Sequence, residues 1–328
     1  MTATRNLFRA SRLQWLVAIA GALFGIAHAQ TWPSKPVRVV VPISAGGATD
    51  VLARTLGKAL SESTGQPFVV ENKTGAAGSI GSAEVARAAP DGYTLLVATT
   101  STHAIAPLVS KQLPYDVVND FTPIALIAES NNVLLASPTL SAKNVSELIA
   151  LAREKPGSVH YSSSGIGSWG HLNFELFAAQ AGITLTHVPY RGTSSSIADI
   201  TQGNVQLALD AVVSGVPLVK QGRVKGLAVS GPRRSAIAPE IPTIAETVPG
   251  FSALSWFGVY GPRGMSPDLV RRINAEIVKV LQSPDMTARL SAMGVEGGRL
   301  SPAEFANYVA SDTARYARLV KERNIKLE

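Results

Sequence analysis

The run Val39-Val40-Val41-Pro42-Ile43-Ser44-Ala45-Gly46-Gly47-Ala48-Thr49-Asp50, continuing into Val51-Leu52-Ala53-Arg54, constrains this chain most. The β-branched stretch reads as a buried strand, the paired glycines as a tight turn, and the residues from Asp50 on as an opening helix. Such a turn leaves backbone N–H groups unpaired at the positive end of the helix, which suits a carboxylate or phosphate. The same unit recurs along the chain. Strands are expected at 37–41, 68–71, 94–98, 124–128, 133–136, 159–162, 184–188, 205–209 and 226–229. Helices are expected between them at 50–63, 79–89, 103–110, 145–154, 169–180, 195–201 and 216–221. Alternation of this kind predicts an α/β fold with mostly parallel sheets. The tail differs: one strand at 256–260, then helices at 267–282, 284–293 and 302–322. Each of these opens with Ser-Pro, a cap followed by a first-turn proline. In the last helix Phe305, Val309, Tyr316, Leu319 and Val320 share a face, the spacing of core packing.

The first 29 residues read as a secretion leader. Arg5, Arg9 and Arg12 form a basic start, 15–26 is a short apolar core, and Ala27-His28-Ala29 fits an A-x-A cleavage site. The apolar run falls short of the roughly 20 residues a membrane span needs. Cleavage after Ala29 and a periplasmic destination are expected. The remaining 299 residues (328 minus 29) are more than one core usually holds, so two lobes are expected. No linker composition separates them, which points to lobes joined by crossing strands. The chain has no cysteine, so disulfides, thiolate metal sites and cysteine catalysis are excluded. Net charge is +7, from 30 basic and 23 acidic residues, or +4 without the three leader arginines (27 minus 23). No dense basic run with interleaved aromatics is present, which argues against nucleic acid.

Open α/β sheets bind ligands in loops beyond strand ends. Four loops qualify: 44–50, 99–103, 162–168 and 190–196, all rich in hydroxyls and glycine. Hydroxyls and N–H groups hold anions without a formal positive charge. Each loop also fits plain helix capping. Gly165-Ile166-Gly167-Ser168-Trp169-Gly170 matches G-x-G-x-x-G, but the next strand ends in Thr186-His187-Val188-Pro189-Tyr190 with no acid for a ribose, against a dinucleotide. No Walker sequence and no G-x-S-x-G elbow occurs. His103, His160, His171 and His187 are scattered without metal-ligand spacing. Asp210, His103 and Ser164 near strand ends leave a spatially assembled hydrolase as a minor alternative. Asp50 fits either an amine contact or first-turn stabilisation, with the structural role favoured. Asp210 fits a ligand contact or a cap before Ser214 equally well.

The chain resembles the substrate-binding receptors of the tripartite tricarboxylate transporter family, also called Bug receptors. The resemblance runs through Trp32-Pro33-Ser34-Lys35-Pro36, Val41-Pro42 to Gly46-Gly47 and Asp50, Glu71-Asn72-Lys73, and Pro90-Asp91-Gly92-Tyr93-Thr94-Leu95. It continues through Tyr161 to Gly167 with His171-Leu172, Val188-Pro189-Tyr190-Arg191-Gly192, and Pro239-Glu240-Ile241-Pro242-Thr243. It implies a type II-like periplasmic-binding-protein fold of two α/β lobes, 30–130 plus 252–328 and 131–251, with a ligand cleft between them. It also implies a monomer without cofactor or catalytic activity. Such a receptor captures a small carboxylate (a di- or tricarboxylate, an acidic amino acid or an aromatic acid) for a permease of one large and one small subunit. Carried onto this chain, the ligand-binding residues are Ser44, Gly46 and Gly47 from one lobe, and Ser163, Ser164, Tyr190, Arg191 and Asp210 from the other lobe or the cleft; Thr100, in the hydroxyl-rich second loop, is a further ligand-binding candidate. Two positions depart from the family's habit: Ile43-Ser44-Ala45 replaces an aromatic and a small residue, and Trp169 stands where a small polar residue is common. A periplasmic ligand sensor with the same fold, and less so a periplasmic hydrolase, remain alternatives.

Overall fold

The computed structural model describes residues 32–110, 112–190 and 193–325. The expected leader and cleavage site, and Arg191 among the candidate residues, lie outside the described residues. In chain order the elements are β1 (Val37–Val41), α1 (Ala48–Thr64), β2 (Phe68–Asn72), α2 (Ser79–Ala86) and β3 (Thr94–Thr99). A π turn at Ser101–Ile105 leads into α3 (Ala106–Val109), then β4 (Phe121–Ser130) and β5 (Asn132–Ala136) follow. Next come α4 (Val145–Glu154), β6 (His160–Ser163), α5 (Trp169–Ala181), β7 (Thr186–Pro189), α6 (Thr193–Gln202), β8 (Leu207–Ala211), α7 (Val212–Lys220) and β9 (Lys225–Val229). The chain closes with β10 (Ser255–Pro262), α8 (Pro267–Leu281), α9 (Pro284–Ala292), β11 (Val295–Gly297) and α10 (Pro302–Glu322).

The strands form two sheets, in the orders β11-β4-β10-β3-β1-β2 and β7-β6-β8-β5-β9. The fold is α/β with two lobes. The expectation of mostly parallel sheets is corrected. Pairs β1/β2, β1/β3, β6/β7 and β6/β8 are parallel, but β10 runs against β3 and β4, β11 against β4, and β5 against β8 and β9. The cause is the crossing. β4 ends at Ser130 in one sheet and β5 begins at Asn132 in the other, so β5 enters its sheet at the edge where that sheet's β-α units end. The return passes through Ser230 and Ala253 to Ser255, and the two crossings are tied together. Asn132 N donates to Ser230 Oγ (3.2 Å), Ala253 N to Ser230 O (2.8 Å) and Gly231 N to Asn131 Oδ1 (2.7 Å).

Packing follows the period-2 alternation of strands. In the first sheet Val39, Leu95, Val97 and Val259 meet Leu56, Leu60 and Ile277 of α1 and α8. Val40, Leu96 and Ala98 point into the other core, shared with Phe305 and Tyr316 of α10. There Gly258 permits a close approach, because a Cβ on it would collide with the Phe305 ring. In the second sheet Leu134, Leu207 and Tyr161 share the core of α4 and α5, whereas Val133, Leu135 and Ala208 pack with Val212 and Val216 of α7. Helix α10 belongs to both cores. Its Phe305 seats on β10, while its Tyr316 hydroxyl accepts from Asn173 Nδ2 on α5 (3.1 Å) and its Arg323 pairs with Glu175 (3.0 Å). The serines at 266, 283 and 301 cap α8, α9 and α10 as expected, accepting from the third helical N–H.

Candidate functional site

Strand register fixes where the candidate loops emerge. Val41 pairs with Asn72, Thr99 with Phe257 and Ser255 with Ser130, so the segments after β1 and β3 leave the first sheet at the edge where the chain crosses. In the second sheet Asn132 pairs with Ala211, Val133 with Asp210 and Ser163 with Pro189, so β6, β7 and β8 end at the edge where β5 enters. Topology therefore brings Ser44, Gly46, Gly47 and Thr100 to one side of the crossing, and Ser163, Ser164, Tyr190 and Asp210 to the other.

Helix capping sets the start of α1 apart from the helices away from the crossing. Away from the crossing, α4, α8, α9, α10 and the turn at Ile244–Glu246 all have a side-chain cap, from Asn144, Ser266, Ser283, Ser301 and Thr243. At the crossing edges the N-caps of α1 (Gly47), the π turn (Thr100) and α7 (Ala211) make no side-chain cap hydrogen bond. The division is incomplete: α5 at the crossing edge is capped by Ser168 accepting from His171 N (3.3 Å), Thr99 Oγ1 accepts from Thr102 N at the π turn (3.4 Å), Val212 N of α7 donates to Asn131 O (3.3 Å), and α2 and α3 also lack a side-chain cap. Uncapped N-termini keep donors and positive partial charge available to an anion.

Within the first loop, Asp50 is structural. Its buried carboxylate accepts from Gly46 N (2.9 Å), Arg54 Nε (3.0 Å) and Asn72 Nδ2 (2.9 Å). The Arg54 contact above all holds it down at about 2, helped by the Gly46 and Asn72 donors and opposed by burial. Gly46, at φ +82°, thus spends its N–H on Asp50, while Gly47 sits in extended backbone ahead of α1. Ser44 is exposed, and no hydrogen bond occupies its hydroxyl among the described residues. Thr100 is buried, and its hydroxyl accepts from Trp256 N (2.8 Å), pinning β3 to β10.

On the other side Ser164 is exposed, with its hydroxyl likewise unoccupied among the described residues, whereas Ser163 is buried and fully engaged. Its Oγ lies 2.6 Å from His187 Nε2, takes Gly165 N–H (3.1 Å) and receives Ser168 Oγ (3.2 Å). The His187 and His171 rings, unrelated in sequence, lie 4.2 Å apart and tilted by 31°, and His171 Nδ1 accepts from Gly167 N (3.1 Å). Sequence spacing missed this pair; the register bringing Ser163 beside Pro189 is what creates it. Burial, then His171, push His187 down to about 4, a poor base, and Ser163 is held by the loop itself, so this contact lacks the features of an activated nucleophile. His103, expected near a strand end, is buried among Tyr115, Phe121 and Tyr260 and pushed by burial to about 3. It serves packing, and the Asp210, His103 and Ser164 combination is not assembled.

Tyr190 donates its hydroxyl to Asp199 Oδ2 on α6 (2.6 Å), and burial first, then Asp199, raise it to about 12. Asp210 lies on the Val133 face of β8 beside Gly215 of α7, and burial raises its carboxyl. Trp169 is half-buried against the main core. A cavity of about 550 Å³ lies elsewhere at the crossing, lined by Glu129, Asn131, Arg233, Tyr308, Asp312 and Arg315. Its charges are mutually paired, Arg315 with Asp312 (2.6 Å), Arg233 with Glu296 (2.6 Å) and Glu129 with the Tyr308 hydroxyl (2.7 Å), and no candidate residue lines it.

The model of the tripartite tricarboxylate transporter family receptor matches residues 52–325. The chain belongs to this family. Its fold is shared with R. palustris Rpa4515, solved with adipate, at 37% identity and TM-score 0.79, covering 90% of this chain and 100% of that one. MatC (Rpa3494) from Rhodopseudomonas palustris, solved with bound malate, is 32% identical at TM-score 0.73, covering 88% and 100%. The periplasmic binding protein BugD is 29% identical at TM-score 0.74, covering 90% and 100%. Of these relatives, BugD is a periplasmic binding protein and the other two are solved with dicarboxylates.

Proposed function

We propose that this receptor captures a small dicarboxylate between its lobes in the periplasm and hands it to a membrane permease of one large and one small subunit. The observation that carries the reading is the uncapped N-terminus of α1 beside the crossing. Gly47 makes no side-chain cap there, whereas α4, α8 and α10, away from the crossing, are each closed by a side chain. Adipate and malate in its relatives support the same ligand class.

One carboxylate sits at the start of α1, held by the N–H groups following Gly47 and by the Ser44 hydroxyl. Ser164 and the loop after β6 meet the other carboxylate, and Arg191 of the family motif is a further ligand-binding residue. Gly46, Thr100, Ser163 and Tyr190 shape these loops through the hydrogen bonds already described, and Asp210 favours ligands bearing an amine. The lobes are 30–130 plus 252–328 and 131–251, closing as a hinge on the paired crossings. A ligand that bridges both lobes favours the closed state because it binds that state better. The protein binds without turnover, acts as a monomer, and loses its leader after Ala29.

The test is thermal denaturation of the mature protein against a carboxylate panel, with native mass spectrometry of the bound species. A ligand at 100 times its Kd adds about 2.7 kcal/mol of stability. Stabilisation by dicarboxylates recovered unchanged is the expected result. Stabilisation by none of them, after stripping by refolding, overturns the reading.

A further inference from the structure

The loop 163–168 is built around two imidazoles that nothing in the binding reading uses. Ser163 Oγ has one hydrogen and two lone pairs. Around it stand His187 Nε2, the Gly165 N–H, the Ser168 hydroxyl, and Gly165 O at 3.0 Å. With Nε2 bare the tally closes: the Ser163 hydrogen goes to His187, and the two lone pairs take Gly165 N–H and Ser168 O–H. With Nε2 protonated, three donors compete for two lone pairs. The Ser163 hydrogen then turns to Gly165 O, and one loop contact is shed. His171 works the same way, because its Nδ1 must be bare to accept from Gly167 N. Protonating it sets N–H against N–H. The rings lie 4.2 Å apart, so a charge on one opposes a charge on the other.

We propose that His171 and His187 are positioning residues that hold the 163–168 loop in shape only while both imidazoles are neutral, so that acidification loosens the loop and releases ligand. The inference rests on the receptor reading only for its effect on ligand. The charged and titratable groups around the pair come from four elements. On α5 Glu175 lies one turn beyond His171; on β6 the Tyr161 ring stacks on His187 (5.0 Å) and its hydroxyl donates to Glu175 (2.8 Å). On β7 there is His187 itself, and on α10 Arg323 pairs with Glu175 (3.0 Å). Glu175 favours the charged imidazoles, but burial outweighs it at both, leaving His187 at about 4 against an ordinary 6.5. A lowered folded value means the contribution is complete above 6.5 and is lost as pH falls from 6.5 towards 4. Between those limits the loop-forming equilibrium weakens by up to about tenfold per pH unit.

The test compares the wild-type mature protein with H171N/H187Q, whose amide oxygens can accept where the imidazole nitrogens do but do not titrate. Adipate is the probe, and its own protonation cancels in the ratio of the two affinities. Equal affinities at pH 7.5 and a roughly tenfold relative loss for wild type by pH 4.5 are expected. The Gly165 and Gly167 amide resonances of the ligand-free wild type should move over the same range, and those of the variant should not. A flat affinity ratio, or amides that do not respond, overturns the inference even where adipate binds. Titrating amides in a protein that binds no adipate at any pH would uphold the loop device and instead remove the ligand reading. Should the double variant fail to fold, H171N alone carries the test through Gly167.

Discussion

Gly47→Asp separates fold from binding. Gly47 is in extended backbone (φ −75°, ψ 166°), and a Cβ there would meet nothing closer than Ser44 O at 3.6 Å and Ile43 Cδ1 at 3.9 Å. An aspartate therefore fits, at the position where it caps a helix best. Replacing glycine by a capping residue gains a few tenths of a kcal/mol. Repulsion from Asp50, three residues on, offsets a similar amount. Stability should stay within about 0.5 kcal/mol of wild type. Binding should not survive, because the new carboxylate takes the N–H groups proposed for the ligand. Two like charges about 4 Å apart at an effective dielectric of 20 repel by about 4 kcal/mol, close to a thousandfold in Kd. Gly47→Asn adds the cap without charge and forfeits a charge-assisted hydrogen bond, about 1.5–3 kcal/mol or roughly 10–100-fold. Gly47→Ala adds only a methyl group and should bind within several-fold of wild type. Calorimetric titration with adipate, alongside thermal melts, reads all three. Adipate binding by Gly47→Asp within threefold of wild type, with an intact fold, refutes the placement at α1.

Other substitutions report on single links of the argument. Gly258→Ala drives a methyl into the Phe305 ring and should cost about 1–3 kcal/mol in a chemical melt, through loss of α10 packing rather than of ligand contacts. Asp50→Asn removes a carboxylate held at about 2 and should cost about 1–2 kcal/mol at pH 7. Because that value is depressed, its benefit is present above pH 3.8 and fades as pH falls towards 2, so the melts of wild type and variant should converge there. Asp210→Asn relieves a carboxyl that burial raises, so its Tm at pH 7 should rise, while amine-bearing ligands weaken and simple dicarboxylates do not. A lowered Tm, or equal losses for both ligand classes, counts against that role.

Helices α4 and α10 match their sequence expectation residue for residue, because caps and apolar periodicity coincide at both. Helix α7 starts at Val212 rather than 216, since Val212-Val213-Ser214-Gly215 has the composition of a strand end and turn. Strand β11, only Val295–Gly297, carries too little pattern to stand out and exists through its pairing with β4. Strand direction was not legible either, because hydrophobic runs do not record which edge a strand enters by. At the site, the glycine turn before α1 was legible as an open helix end. That Asp50 consumes the Gly46 N–H, Thr100 holds Trp256, and Tyr190 serves Asp199 depends on partners far along the chain or on rotamers. The His171–His187 contact needs the β6/β7 register, which no local motif encodes.

The most direct measurement is an amide-resolved NMR titration of the mature protein with adipate. Saturable shifts at one equivalent are expected, concentrated at Gly47, Ala48 and Thr49 on one lobe and at Ser164 and Gly165 on the other. Shifts confined to the cavity around Asn131, Arg233 and Arg315, or no saturable shift at all, would contradict the proposed site.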